Sequence, residues 1–135
     1  MRIGQLAHAS HTPIDTIRYY ERLGLLPPPL RSASGYRHYG DDDVARLRFV
    51  RRAKVLGFSL AEIGELLEIS SARNGDMAPL RERTAATLTK VEQRIAELER
   101  MRSGLHTLLD QCPGHGALED CPILSALNED IHESF

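Results

Sequence analysis

The chain has no tryptophan, and its three phenylalanines and four tyrosines make up only 5% of 135 residues. So few aromatics argue against a large aromatic-lined substrate pocket. No apolar run approaches the roughly 20 residues of a membrane span, and the N-terminus lacks the apolar core of a secretory signal. The expectation is a soluble, cytoplasmic protein without membrane partners. There is no nucleophile–base motif, no phosphate-cradling glycine loop and no length left over for a substrate domain, so an enzyme is not expected. Cysteine is nearly absent too. Cys112 and Cys121 are the only two, and a pair of thiols close together in a cytosolic protein points to metal or redox chemistry rather than a disulfide framework.

Net charge is also small, at −2, but it is unevenly placed. Residues 1–60 carry ten Arg/Lys against five Asp/Glu (+5), and residues 61–135 carry seven against fourteen (−7). The first half could meet phosphate while the second keeps away from it.

Hydrophobic periodicity supplies the elements. Residues 3–9 form a short apolar-periodic segment that predicts a first helix. Thr12 then offers an N-cap and Pro13 a first helical residue for a second helix over 13–23, with Ile14 and Ile17 on one face. Gly24 stops it and Pro27–Pro29 prevent continuation. Two short helices with a brief turn at Ser10–His11 make a helix-turn-helix candidate. The polar turn between Arg31 and Tyr36 predicts a hairpin wing. Asp41–Asp43 suit the N-terminal dipole of a third helix, and Ser59 with Glu62 makes a capping box for a fourth.

Residues 71–78 read as a linker after a DNA-binding domain over 1–70. Over 79–110, Leu88, Val91, Ile95, Leu98, Leu105 and Leu109 alternate by threes and fours, and Arg102 interrupts the seam. Such a helix would span roughly 45 Å and bury little by itself, so pairing with its copy in a homodimer is expected. Residues 111–127 then hold the thiol loop and a short helix, and 128–135 form an acidic tail.

The segment Thr16-Ile-Arg18-Tyr19-Tyr20-Glu-Arg22 places cationic and hydroxyl donors on the second helix, where they suit phosphates and guanine edges. Arg31, Tyr36, Arg37 and Tyr39 repeat that chemistry on the wing. One of Tyr19 and Tyr39 is expected to cover the core instead.

The run from Ile3 to Ile63, with its IRYYE…GL and R…GYR.Y elements, closely resembles the MerR family of bacterial regulators. The resemblance continues through the long helix to the cysteine loop. It implies a mainly α fold: a winged helix-turn-helix domain, a long dimerisation helix in an antiparallel coiled coil, and a C-terminal metal-binding loop. By matching position, Thr16, Arg18, Tyr20, Arg31, Tyr36 and Arg37 would contact operator DNA. It further implies that inducer binding makes the dimer distort promoter DNA for RNA polymerase, activating an efflux or detoxification gene.

In Cys112-Pro-Gly-His-Gly-Ala-Leu-Glu-Asp-Cys121-Pro-Ile, eight residues rich in Gly and Pro let the chain fold back and present both sulfurs to one soft ion such as Cu(I), Zn(II), Cd(II) or Hg(II). The pattern is most similar to the copper-efflux branch of the family. Members that sense divalent ions place a third Cys at the start of the dimerisation helix, where Met77 stands here. Two sulfurs in a line suit Cu(I), Ag(I) or Au(I). His115, or less readily Met77, would complete a Zn(II) set. The competing readings are a divalent sensor of Zn(II) or Cd(II), a redox sensor that closes a Cys112–Cys121 disulfide, and, outside DNA regulation, a metallochaperone.

Overall fold

The computed structural model describes residues 1–31 and 37–129, with the backbone alone at 30, 31 and 37. The described chain is mainly helical. Helix α1 (Ile3–Ser10) begins where the Gln5 side-chain oxygen accepts the Arg2 N–H at 2.9 Å. It ends at His11, which adopts a left-handed φ of 53°. Helix α2 (Ile14–Leu23) follows, with Pro13 just before its first turn. Thr12, expected to cap it, is turned back instead: its hydroxyl donates to the Ser10 carbonyl at 3.1 Å. Pro13 therefore precedes the helix rather than opening it, and brings no N–H that would need a partner there. Gly24, at φ 80°, ends α2 in the left-handed conformation that only glycine adopts without steric cost.

The wing is a two-stranded antiparallel hairpin, β1 (Leu30–Arg31) with β2 (Arg37–His38), Leu30 opposite His38 and Arg31 opposite Arg37. Its tip, including the Tyr36 singled out above, lies outside the described residues. The hairpin exit is tied to the start of the chain. Met1 donates its amino group to the Tyr39 carbonyl at 2.7 Å, and Tyr39 N–H returns to the Met1 carbonyl at 2.8 Å. Helix α3 (Asp41–Val55) opens with Asp43 accepting the Gly40 N–H at 2.9 Å. Helix α4 (Leu60–Ser70) carries the expected reciprocal cap, with Ser59 N–H to Glu62 Oε1 at 2.8 Å and Glu62 N–H to Ser59 Oγ at 3.2 Å. Helix α5 runs from Ala78 to Gln111, about 51 Å at 1.5 Å per residue.

The chain divides into two compact units, Met1–Thr87 and the residues from Leu88 onward. The core of the first unit is one apolar cluster from α1–α4 and the segments between them. Leu6, Ile17, Leu26, Leu47, Val50 and Ile63 are fully enclosed in it. Each such side chain contributes roughly 1.5–3 kcal/mol by leaving water. The unit continues past residue 70 into the first turns of α5: Leu80 packs on the core, Arg83 pairs with Glu65 of α4, and Thr87 is buried. The second unit comprises the rest of α5, the cysteine loop, a 3-10 turn (Leu118–Asp120) and helix α6 (Pro122–Asn128).

Candidate functional site

Two groups of residues carry chemistry, one in each unit. On α2, Ile17 and Tyr20 are three residues apart and share the face that enters the core. Thr16 is half-buried and Arg18 is exposed. The two adjacent tyrosines divide their roles in the opposite sense to the expectation for Tyr20. Its ring is 5% exposed, whereas Tyr19 is 44% exposed. Tyr39 is buried as well, and its hydroxyl donates to Glu21 Oε1 at 2.6 Å. Tyr20 and Tyr39 thus cover the core, and Tyr19 faces solvent. The Tyr20 hydroxyl accepts from Lys54 Nζ at 3.4 Å, with the ammonium 6.0 Å from the ring centre.

Two cations outside the expected operator contacts join this face. Arg22 stacks on Tyr19 at 5.8 Å, and Lys54 reaches across from α3. For Arg22 the signal was present, since positions 18, 19 and 22 lie on one side of a helix. For Lys54 there was none, because its neighbour Tyr20 is 34 residues away. Arg31 and Arg37 stand directly opposite each other in the hairpin register.

In the second unit, Cys112 follows the last turn of α5, and Cys121 stands immediately before α6. The loop between them turns twice through left-handed glycines, Gly114 at φ 85° and Gly116 at φ 113°. A side chain at either would strain the backbone, and both cysteines border one cleft formed by the loop. The Leu124 N–H bonds the Cys121 sulfur most effectively, and the Ile123 N–H and the Cys112 thiol add to it. Together they outweigh partial burial and hold the Cys121 thiol below its ordinary range. Pro122 at the first position of α6 leaves those two amides as the first free donors of the helix.

His115 lies in the loop with Nδ1 at 3.2 Å from the Pro113 carbonyl and is exposed. Met77 is 80% exposed and belongs to the first unit. Among the described residues, no group of three His, Cys, Asp or Glu side chains is placed to hold a metal ion. The sulfurs of Cys112 and Cys121, one of them favoured as thiolate, would suit a soft ion.

A winged helix-turn-helix unit, a long helix with an apolar stripe and a two-thiol loop define a ligand-responsive DNA-binding regulator. The sequence comparisons fix the family. The profile of MerR HTH family regulatory proteins matches residues 1–69, and that of the MerR DNA-binding region matches 44–108. The chain belongs to the MerR family.

Among its relatives is the HTH-type transcriptional regulator PA4778 of Pseudomonas aeruginosa, 42% identical over 94% of this chain and 96% of the relative. The CueR regulator of Salmonella typhimurium is 36% identical over 98% and 95%. Among solved structures, PbrR691 of Ralstonia metallidurans, in complex with lead(II), has a TM-score of 0.85 at 31% identity, covering 94% of this chain and 98% of that one. MerR of Bacillus megaterium, in complex with mercury(II), has a TM-score of 0.74 at 32% identity, covering 96% and 100%. HiNmlR bound to promoter DNA has a TM-score of 0.54 at 29% identity, covering 82% and 83%.

The protein is accordingly a metal-responsive transcription regulator and not an enzyme. Regulators of this family are dimers that bind promoter DNA and act with RNA polymerase. Among the described residues, no helix is long and apolar enough to cross a membrane.

Proposed function

We propose that this protein is a cytoplasmic sensor of monovalent soft ions, Cu(I), Ag(I) or Au(I), that switches on an efflux or detoxification promoter by distorting operator DNA. The observation that carries the reading is that Cys112 and Cys121 line one cleft across a glycine-turned loop, with no third ligand grouped with them among the described residues. Two sulfurs satisfy a linear monovalent ion, whereas Zn(II) wants four donors. His115 argues for a divalent ion only if it leaves its contact with the Pro113 carbonyl.

A bound ion would supply a cross-link between the two sulfurs. The remaining steps belong to the chain. Cys121 leads directly into α6, so fixing its sulfur fixes the start of that helix, while Cys112 fixes the end of α5. An ion shifts the regulator only by the difference between its affinities for the two states of the dimer. Thr16, Arg18 and Tyr19 on α2, with Arg31, Tyr36 and Arg37 on the wing, hold the operator, and Tyr20 takes part only through its hydroxyl. Distortion of the DNA, rather than a new protein contact, brings the promoter elements into register for polymerase.

A second reading follows from the same geometry. Two thiols that border one cleft can close a disulfide, and the regulator would then answer oxidants. The test is transcription in vitro from the regulated promoter with the wild type, Cys112→Ser and Cys121→Ser. Both variants should bind operator normally and give no Cu(I) induction. Full Cu(I) induction of either variant would overturn the two-thiolate site. Induction of the wild type by peroxide without metal would favour the redox reading.

A further inference from the structure

Helix α2 carries two carboxylates, Asp15 in its first turn and Glu21 in its last. Asp15 suits the positive end of the helix dipole, but Glu21 stands at the negative end. Glu21 also shares the helix with Arg18, Tyr19 and Arg22, proposed to meet phosphate, where an anion works against binding. Its partner explains the placement. The Tyr39 hydroxyl donates to Glu21 Oε1 at 2.6 Å, a length that marks a charge-assisted bond, and Tyr39 is 3% exposed. Tyr39 directly follows strand β2 of the wing. Its backbone is held separately by the reciprocal pair with Met1, at 2.7 and 2.8 Å. The exit of the wing is therefore tied through its N–H and carbonyl to the start of the chain, and through its hydroxyl to α2. Arg37, two residues earlier, is at most about 7 Å of extended chain from that anchor.

We propose that Glu21 and Tyr39 are positioning residues for operator binding, a strut that sets the wing against α2 so that both reach one duplex together. Neither needs to touch DNA. Two contacts held on one rigid body bind better than two that must be aligned on the DNA, because ordering a loose wing costs conformational entropy at the moment of binding. The bond spans 18 residues of chain and joins separate elements, so it serves neither the helix nor the hairpin locally. The buried ring fills the core, whereas the hydroxyl adds no apolar burial and is the part that reaches α2. The inference rests on the operator contacts proposed above for α2 and the wing, and the metal assignment plays no part in it.

The experiment uses the full-length dimer and a fluorescent duplex bearing the operator recovered by selection from a random pool, titrated across a range of salt concentrations. Tyr39→Phe removes a hydroxyl and no charge, yet it should flatten the log–log salt dependence by about one to two units, as one wing phosphate contact per subunit is loosened. Glu21→Ala should do the same. Glu21→Gln, which loses the same charge but keeps an acceptor, should hold the wild-type slope. Arg37→Ala should cost at least about threefold less affinity in the Tyr39→Phe background than in the wild type. A merely structural role would leave both the slope and the cost of Arg37→Ala unchanged, and that result would overturn the proposal. Unchanged thermal unfolding verifies that the variants are folded, and Glu21→Ala serves in the same comparison if Tyr39→Phe is not. Arg37→Ala without effect on wild-type binding would instead overturn the operator contact of the wing, and the strut with it.

Discussion

Truncating Ile95 to alanine should weaken the dimer roughly fiftyfold. The stripe residues of α5 remain half open in the single chain, from 39% exposed at Val91 to 65% at Leu109, with Ile95 at 50%. If pairing covers what is left, each contributes about half of the roughly 1.5–3 kcal/mol of a full burial, near 1 kcal/mol. Six such residues on each of two chains give about 12 kcal/mol, of the same order as the 4–15 kcal/mol that association costs. A dimer held by so small a surplus responds to a single truncation. Ile95→Ala removes three carbons at about 0.8 kcal/mol each. Half of that, counted on both chains, is about 2.4 kcal/mol, or about fiftyfold in Kd. Sedimentation equilibrium over a concentration series measures it, with Gln93→Ala on the exposed side of α5 as the control. A dissociation constant within twofold of wild type for Ile95→Ala would refute the pairing of α5 through this stripe.

Other outcomes follow from the same structure. Ser59→Ala removes the reciprocal cap of α4 and should cost about 1 kcal/mol, read as a lower thermal midpoint with DNA contacts intact. Gly116→Ala forces a side chain onto a φ of 113°. It should weaken Cu(I) affinity while leaving operator binding and dimerisation unchanged, as competition with a chelator would report. The folded-state lowering of Cys121 has a definite sign. Its thiolate appears at lower pH in the folded, metal-free protein than in the unfolded chain. Iodoacetamide labelling of Cys121 in a Cys112→Ala variant should therefore begin to rise at lower pH when folded than in denaturant. Because Leu124 and Ile123 supply most of that effect, loss of Cys112 should leave most of it in place, and identical pH profiles would contradict it.

Much of the first unit was legible because its signals are local. Gly24 after α2, the Ser59–Glu62 pair and the triple aspartate before Val44 each act within one turn of chain, where sequence spacing is also distance. The limits of α5 were readable to within about a residue for a similar reason: its stripe persists for many turns.

What escaped was non-local. Ile17 and Tyr20 lie three apart, which could have assigned the ring to the core, but a tyrosine beside an arginine reads equally well as a DNA contact. Thr12 had the residue type of a cap, yet a nearby carbonyl took its hydroxyl. Nothing in sequence links Lys54 to Tyr20, since that meeting depends on α3 packing across α1 and α2. The cysteine spacing showed that two sulfurs could meet. The amides of Ile123 and Leu124, which make one of them a better ligand, depend on where α6 begins.

Central to the proposed function is a two-coordinate thiolate site for a monovalent ion at Cys112 and Cys121. It is tested most directly by titrating the reduced, metal-free dimer on promoter DNA with Cu(I) and with Zn(II), anaerobically and against competing chelators, while following DNA distortion. Tight Cu(I) binding that distorts the DNA, with Zn(II) weak or silent and His115→Ala without effect, is the predicted result. Tight Zn(II) binding that distorts the DNA and is lost in His115→Ala would contradict it.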